Sequence, residues 1–325
     1  MLIDRFGRKH TYLRISVTDR CNLRCQYCMP QEGIEWKPRE EILTFEEIER
    51  VARVFVELGI TKIRLTGGEP LVRKNLVRLV EALASMPGLE TLAMTTNGVL
   101  LKDKAHALRQ AGLTALNVSL DSLRRERFEL IAKRDDHANV MAGIYSALEC
   151  GFDPLKLNVV VMAGVNDDEI LDFVEFVRDK PINVRFIEYM PFKDNEWKVS
   201  RVFSYGEMKG AIERRYRLEP LAAGPGAVAK DFAVGGFLGS VSFITSMTDS
   251  FCASCNRLRL TADGSIKSCL FYPAEVFIRE EIRAGITDDS LAALIRSAVL
   301  LKPPEHPPME EILASENRAM IEIGG

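Results

Sequence analysis

The chain has 325 residues, 47% hydrophobic and 27% charged, with a formal net charge of −3. That length gives room for one large domain or a domain with an extension, and the composition is that of a soluble globular protein. The charge balance excludes a global positive field for nucleic acid or an anionic membrane, and no apolar run approaches the roughly 18 residues of a membrane span.

The start, Met1-Leu2-Ile3-Asp4-Arg5-Phe6, does not read as a signal peptide, so a cytoplasmic chain is expected. There the seven cysteines are ligands or core rather than disulfides. The first predicted strand is Tyr12–Val17, and Cys21, Cys25 and Cys28 follow it at spacing C-x3-C-x2-C. Three soft ligands on one turn suit an iron–sulfur cluster with one iron left open. A zinc site completed by a distant residue stays open on spacing alone, although zinc knuckles usually pair cysteines as CxxC. The four histidines, His10, His106, His137 and His306, are too scattered for an HExxH or HxxH centre.

Strands are predicted next at Lys62–Leu65, Thr91–Thr95, Ala115–Leu120, Leu155–Val161 and Val184–Tyr189. Amphipathic helices fall between them at Phe45–Leu58, Leu76–Ser85, Lys104–Ala111, Ala138–Cys150 and Asp168–Asp179. Three joints, Leu58-Gly59-Ile60, Ala111-Gly112-Leu113 and Cys150-Gly151-Phe152, carry the Schellman pattern. Such alternation predicts an α/β fold of parallel strands, either an open sheet or an incomplete barrel. In both, chemistry gathers at the carboxyl ends of the strands. Those ends carry the cysteines, Thr66-Gly67-Gly68-Glu69-Pro70, Thr95-Thr96-Asn97-Gly98, Asn117 to Asp121, and Glu188-Tyr189-Met190-Pro191.

Buried parallel strands should be apolar on both faces. Here Arg14 and Ser16 share one parity, as do Lys62, Arg64 and Thr66, Lys156 and Asn158, and Asn183 and Arg185. If those faces line a cavity, Arg14, Lys62, Arg64, Lys156 and Arg185 converge and call for an anionic ligand such as a polyphosphate.

Past residue 190 the rhythm stops, so a partial barrel over residues 1–190 and a second unit over 191–325 are expected. The second unit carries a charged helix, Tyr205–Tyr216, an apolar run at Gly239–Thr245, and then Cys252 and Cys255. The turn Ala262-Asp263-Gly264 predicts a hairpin that returns Cys269 beside Cys255, giving a second triad without a fourth ligand. Zinc again stays open on the residues alone. Cys150 reads as core. A proline-rich link, Lys302 to Pro308, precedes a last helix and the tail Ile323-Gly324-Gly325.

The first triad resembles the signature of the radical S-adenosylmethionine (SAM) superfamily. With TGGEP, the second triad, Cys255-Asn256-Arg257-Leu258-Arg259 and the Gly-Gly end, the whole chain resembles the GTP 3′,8-cyclase family of molybdenum cofactor biosynthesis. The resemblance implies an incomplete (β/α)6 barrel of TIM type with a C-terminal iron–sulfur cluster domain, two 4Fe-4S clusters and SAM. It assigns Cys21, Cys25 and Cys28 to the SAM cluster and Cys252, Cys255 and Cys269 to the substrate cluster. Tyr27, Gly68, Ser119 and Met190 match SAM positions; Arg14, Arg64, Thr95, Lys156, Arg257 and Arg259 match GTP positions. Lys62 and Arg185 are added as triphosphate partners. Arg257, Arg259, Gly324 and Gly325 are expected to serve catalysis. The implied partners are GTP, an electron donor of flavodoxin or ferredoxin type, and a downstream synthase making cyclic pyranopterin monophosphate. The chain itself is expected as a monomer or homodimer. Two other classes remain: a twin-cluster radical SAM enzyme acting on a peptide, and a non-enzymatic metal-binding regulator.

Overall fold

Three helix ends set the spacing of the chain. Ile60 N donates to Phe55 O at 3.0 Å, Leu113 N to Leu108 O at 3.0 Å and Phe152 N to Ala147 O at 3.3 Å, the six-to-one bond of the Schellman cap. Each cap delivers the chain within a few residues to the next strand. The computed structural model describes every residue except Gln31, Asp194, Ala223, Pro225, Ser250, Ala274, Glu316, Asn317 and Gly325.

The strands are β1 (Tyr12–Ser16), β2 (Lys62–Thr66), β3 (Thr91–Thr96), β4 (Ala115–Ser119), β5 (Leu155–Val161) and β6 (Ile182–Glu188), then β7 (Leu218–Pro220), β8 (Ala229–Val234), β9 (Ser240–Ile244), β10 (Arg257–Leu260), β11 (Ser265–Lys267) and β12 (Glu275–Phe277). All twelve form one sheet in the order β12-β11-β10-β1-β2-β3-β4-β5-β6-β9-β8-β7. β1 to β6 pair in parallel, each with its successor.

The sheet does not stop with the sixth strand. β9 adds parallel to β6 and β10 adds parallel to β1, so eight parallel strands stand side by side. The predicted hairpin is present as antiparallel β10 and β11, with Arg259 opposite Lys267. Among the described residues β9 and β10 do not pair with each other, so the barrel stays open along that seam.

The crossovers use α1 (Phe45–Glu57), α2 (Leu76–Ala84), α3 (Ala105–Gln110), α4 (Arg125–Ala132), α5 (His137–Glu149) and α6 (Ile170–Phe176). α1 starts in a capping box: Thr44 Oγ1 accepts from Glu47 N at 3.1 Å while Glu47 Oε2 accepts from Thr44 N at 2.8 Å. Its residues Ile48, Val51, Ala52 and Phe55 lie on one stripe and are buried. α4 is an addition to the predicted set. α7 (Tyr205–Glu213), α8 (Arg279–Arg283), α9 (Asp288–Leu300), α10 (Met309–Ala314) and α11 (Met320–Ile323) complete the chain. Among the described residues no helix is long and apolar enough to cross a membrane.

Strand parity divides the sheet. Leu13, Ile15, Ile63, Leu65, Leu116, Val118, Leu157, Val159, Val184 and Phe186 are buried in the main core. Each such side chain is worth roughly 1.5–3 kcal/mol of burial. The other parity carries Arg14, Arg64, Asn117, Asn158 and Arg185, which line a cavity enclosed by the curl of the sheet.

Candidate active site

The first triad leaves the end of β1 on a loop held by backbone bonds. Arg24 N and Gln26 N donate to Ala132 O and Ile131 O at the end of α4, at 2.9 and 3.1 Å. Cys28 N turns back to Cys25 O at 3.0 Å. Gly67 and Gly68 after β2 lie backbone to backbone against Thr18–Arg20: Gly68 N donates to Thr18 O at 2.7 Å and Glu69 N to Arg20 O at 2.8 Å. A Cβ at Gly68 would fall 2.4 Å from Arg20 O, so the glycine pair admits the cysteine loop itself.

The next strand ends close over this loop. Asn97 Nδ2 approaches Cys21 Sγ at 3.7 Å and bonds Asn22 Oδ1 at 2.8 Å. Glu69 is fully buried and accepts from Thr96 Oγ1, Asn97 N and Leu71 N at 2.7, 2.6 and 2.9 Å. Burial raises its carboxyl to about 7 against those donors. Tyr27 OH donates to Asp121 at 2.7 Å, two residues past Ser119. Asn195 Nδ2 donates to Tyr27 O at 3.2 Å and Met190 O at 2.9 Å, which ties the cysteine loop to the end of β6. Burial pushes the Cys21 thiol up to about 11, and burial with Asp121 nearby pushes Cys25 up as well.

The second triad sits in the opposite field. Cys252–Ser254 form a 3-10 turn, with Cys255 N bonded to Cys252 O at 3.1 Å, and the hairpin brings Cys269 to the same cavity. Burial would raise the Cys255 thiol, but Arg257 and Lys302 outweigh it and bring it to about 7. Arg8, paired with Asp4 at 2.6 Å, donates to Cys252 O at 2.9 Å. Among the described residues no three His, Cys, Asp or Glu side chains are gathered as ligands of a single ion. A cubane takes each thiolate on a different iron, so its ligands stand farther apart than those of one zinc ion. A donor set of three thiols fits an open-iron cluster.

Beside the second triad the cavity wall is strongly cationic: Arg8, Arg14, Arg64, Arg185, Arg257, Arg259 and Lys302 face one carboxylate, Glu305. Arg64 bonds Tyr12 OH at 2.7 Å, Met94 O at 2.8 Å and Thr95 Oγ1 at 3.3 Å. Burial lowers Arg185 to about 10, with Arg64 adding to it, and burial with Arg185 lowers Lys156 to about 8. Arg185 Nε, Ser246 Oγ and Ser268 Oγ are buried, line this cavity and have no hydrogen-bond partner. Orphaned donors in a cationic wall fit a large polyanionic ligand with further polar groups.

The tail enters from the side of the first triad. Ala319 and Ile321 pack with Met29 against Cys21 and Cys28, and Ile321 N lies 3.4 Å from Cys28 O. Gly324 O then accepts from Arg259 Nη1 at 2.8 Å.

The radical SAM superfamily pattern matches residues 15–177, and a pattern described as Molybdenum Cofactor Synthesis C matches residues 182–308. The mitochondrial GTP 3′,8-cyclase of Arabidopsis thaliana is 52% identical over all of this chain and 84% of its own length. The GTP 3′,8-cyclase of Moorella thermoacetica is 49% identical over 99% of both chains. The chain belongs to the GTP 3′,8-cyclase family of radical SAM enzymes. It spans about half of longer relatives in the same family, such as molybdenum cofactor biosynthesis protein 1 of Mus musculus, which is 50% identical and 51% covered. Among solved structures, Streptococcus suis SuiB bound to SAM superposes with a TM-score of 0.59 over 89% of this chain and 68% of its own, at 15% identity. That likeness shows the α/β fold alone.

Against the expectations for this cyclase family, the described residues fall into three groups. Arg14, Arg64, Thr95, Arg185, Met190, Arg257 and Arg259 line one cavity with the second triad. Lys62 and Lys156 share the parity of Arg64 and Asn158 without lining the cavity itself, Lys62 Nζ 5.1 Å from the Tyr12 ring and Lys156 beside Arg185. Tyr27 and Gly68 lie at the loop of the first triad, Gly68 with its N–H already bonded, and Ser119 ends β4 two residues before the Asp121 that Tyr27 bonds. Gly325 lies outside the described residues. Cys150 packs against the core. Asn117, expected at a strand end, lines the cavity too, and Tyr12, Ser246, Phe251 and Lys302 join it without having been singled out. Tyr12 shares the parity of Arg14 and Ser16, so the same two-residue period would have found it. Lys302 stands in a proline-rich link with no periodicity to mark it.

Proposed function

We propose that the cavity between the two triads binds GTP and cyclises it to 3′,8-cyclo-7,8-dihydro-GTP. The observation that carries this reading is that the second triad and the cationic strand faces border one enclosed space, while the tail that packs on Cys21 and Cys28 ends on Arg259 in its wall. Cys21, Cys25 and Cys28 hold the 4Fe-4S cluster that binds SAM, with Tyr27, Gly68, Ser119 and Met190 around it. When bound, that cluster supplies the electron that splits SAM and releases the 5′-deoxyadenosyl radical. Cys252, Cys255 and Cys269 hold the second cluster on the substrate side.

Arg14, Arg64 and Lys156, with Lys62 and Arg185, hold the triphosphate through charged hydrogen bonds. Thr95 fixes Arg64 from the side. Arg257 and Arg259 orient the nucleoside, and the tail through Gly324 holds Arg259 in place while excluding water. So held, ribose C3′ yields its hydrogen to the 5′-deoxyadenosyl radical, and the C3′ radical bonds to guanine C8. One electron and one proton then complete the dihydro product. The electrons come from a donor of flavodoxin or ferredoxin type, and the product passes to the synthase of cyclic pyranopterin monophosphate. Free thiols in both triads suit a reducing compartment such as the cytoplasm.

A peptide substrate would leave the strand cations without anionic partners, so the SuiB-like fold does not carry that reading. Anaerobically reconstituted and reduced protein, given SAM and GTP, is expected to release the cyclised nucleotide and 5′-deoxyadenosine together. SAM cleavage with GTP recovered unchanged would reject the assignment.

A further inference from the structure

Lys302 lies two residues past α9 and is 4% exposed. Its ammonium donates to Arg257 O at 2.9 Å and Ser268 O at 2.5 Å. These carbonyls belong to the two arms of the second triad: Arg257 is two residues after Cys255, and Ser268 immediately precedes Cys269. Among the described residues no carboxylate forms an ion pair with this ammonium. The other deeply buried lysine, Lys267, does have one, Glu275 Oε1 at 3.0 Å. A buried cation without an anion is costly, and folds either pair it or neutralise it. The cations near Lys302 do not help: Arg8 is held by Asp4, and His10 is lowered to about 4 by burial and then by Lys302 itself. The groups that face the ammonium with opposite charge when they hold a cluster are the sulfurs of Cys255 and Cys269.

We propose that Lys302 is the counter-charge of the second cluster, a positioning residue that ties the two arms of the triad together and raises the cluster's reduction potential. The inference rests on the reading that Cys252, Cys255 and Cys269 hold a 4Fe-4S cluster. Each reduction adds one negative charge to the cluster, and a fixed positive charge at short range in a low-dielectric wall favours the reduced form. Burial makes this effect large and weakly screened by salt.

The test uses the full chain with Cys21, Cys25 and Cys28 all changed to Ala, so that only the second triad can be loaded. Iron and sulfide content of this parent tests the cluster reading by itself; a parent that takes up no cluster overturns that reading and the inference with it. Potentiometric titration followed by electron paramagnetic resonance then compares Lys302→Gln and Lys302→Arg in that parent. Lys302→Gln keeps a donor but not the charge, and is expected to lower the reduced-to-oxidised ratio at a fixed potential about tenfold, or about 59 mV for one electron. Lys302→Arg is expected to titrate with the parent. Loading of the Arg variant but not the Gln variant also supports the counter-charge. Overturning results are a Gln variant at the parent's midpoint, an Arg variant displaced as far as Gln, or loss of cluster from both, which would make Lys302 a tie for the hairpin alone.

Discussion

At Tyr12 two effects of similar size compete. Burial would raise the phenol, but Arg64, Arg14 and Lys62 outweigh it and bring it from 10.0 to about 7. Above pH 7 the phenol of the free protein is therefore increasingly ionised and adds a negative charge to the cation cluster. A bound triphosphate takes over that role, so binding raises the Tyr12 pKa and takes up a proton. GTP affinity should then fall as pH rises through 7, by no more than about tenfold per pH unit. Tyrosinate absorbance at pH 8 should drop on adding GTP, and Tyr12→Phe should show no such drop. An unchanged absorbance would place the triphosphate elsewhere. The strand cations make a second case: Lys156→Ala and Arg64→Ala should weaken GTP far more than guanosine, by about 1.5–3 kcal/mol each, checked by calorimetry with both ligands. Equal losses would remove these residues from the phosphate site. Arg14, Arg64 and Arg185 were legible in the sequence because a cation at alternate positions of an otherwise apolar strand cannot be buried without an anion to face. Tyr12 lies on the same parity and within reach of that rule, but the lowering of its phenol was not legible until its neighbours' charges were placed.

The tail is the element whose position depends most on side chains far from it in sequence. Arg318 donates to Asp263 Oδ2 at 2.8 Å, Glu275 Oε2 at 2.6 Å and Ser265 Oγ at 3.2 Å, fastening the start of the tail to the β10–β11 turn and to β12. At the far end Gly324 adopts φ +82°, and a Cβ there would fall 2.8 Å from both Ser16 Cβ and Thr66 Oγ1. Gly324→Ala should displace the end of the tail and reduce product while leaving the iron content and SAM cleavage intact. Arg318→Ala removes charged hydrogen bonds worth about 1.5–3 kcal/mol each. It should raise hydrogen exchange of the Ile321 and Gly324 amides well above wild type. Unchanged exchange would show that packing against Met29 is enough to hold the tail. The glycine caps made the helix ends legible, because cap chemistry is local. α4 was not: its run of charged residues, Arg125-Glu126-Arg127, hides the buried Phe128 and Ile131 that dock the cysteine loop.

Across the whole molecule, the two triads occupy opposite electrostatic settings. The first lies beside buried carboxyls, Glu69 and Asp121, and its thiols are pushed up; the second lies beside Arg257 and Lys302, and Cys255 is brought down. Motif spacing revealed both sets of ligands, but not that β9 and β10 extend the parallel sheet at its two edges and so bring the second triad to the cavity lined by the strand cations. Those pairings join residues more than fifty positions apart, and no local pattern encodes them. The division of labour predicts that Cys25→Ser abolishes SAM cleavage, whereas Cys255→Ser keeps some uncoupled cleavage without cyclised product; normal GTP turnover by Cys255→Ser would contradict it. The account as a whole rests on the ribose 3′ hydrogen of GTP being held within reach of the 5′-deoxyadenosyl radical. Reduced protein should therefore be given SAM and GTP carrying deuterium at ribose C3′, and the 5′-deoxyadenosine analysed by mass spectrometry. One deuterium per 5′-deoxyadenosine formed alongside cyclised nucleotide is the predicted result. Unlabelled 5′-deoxyadenosine accompanying that product would contradict the account.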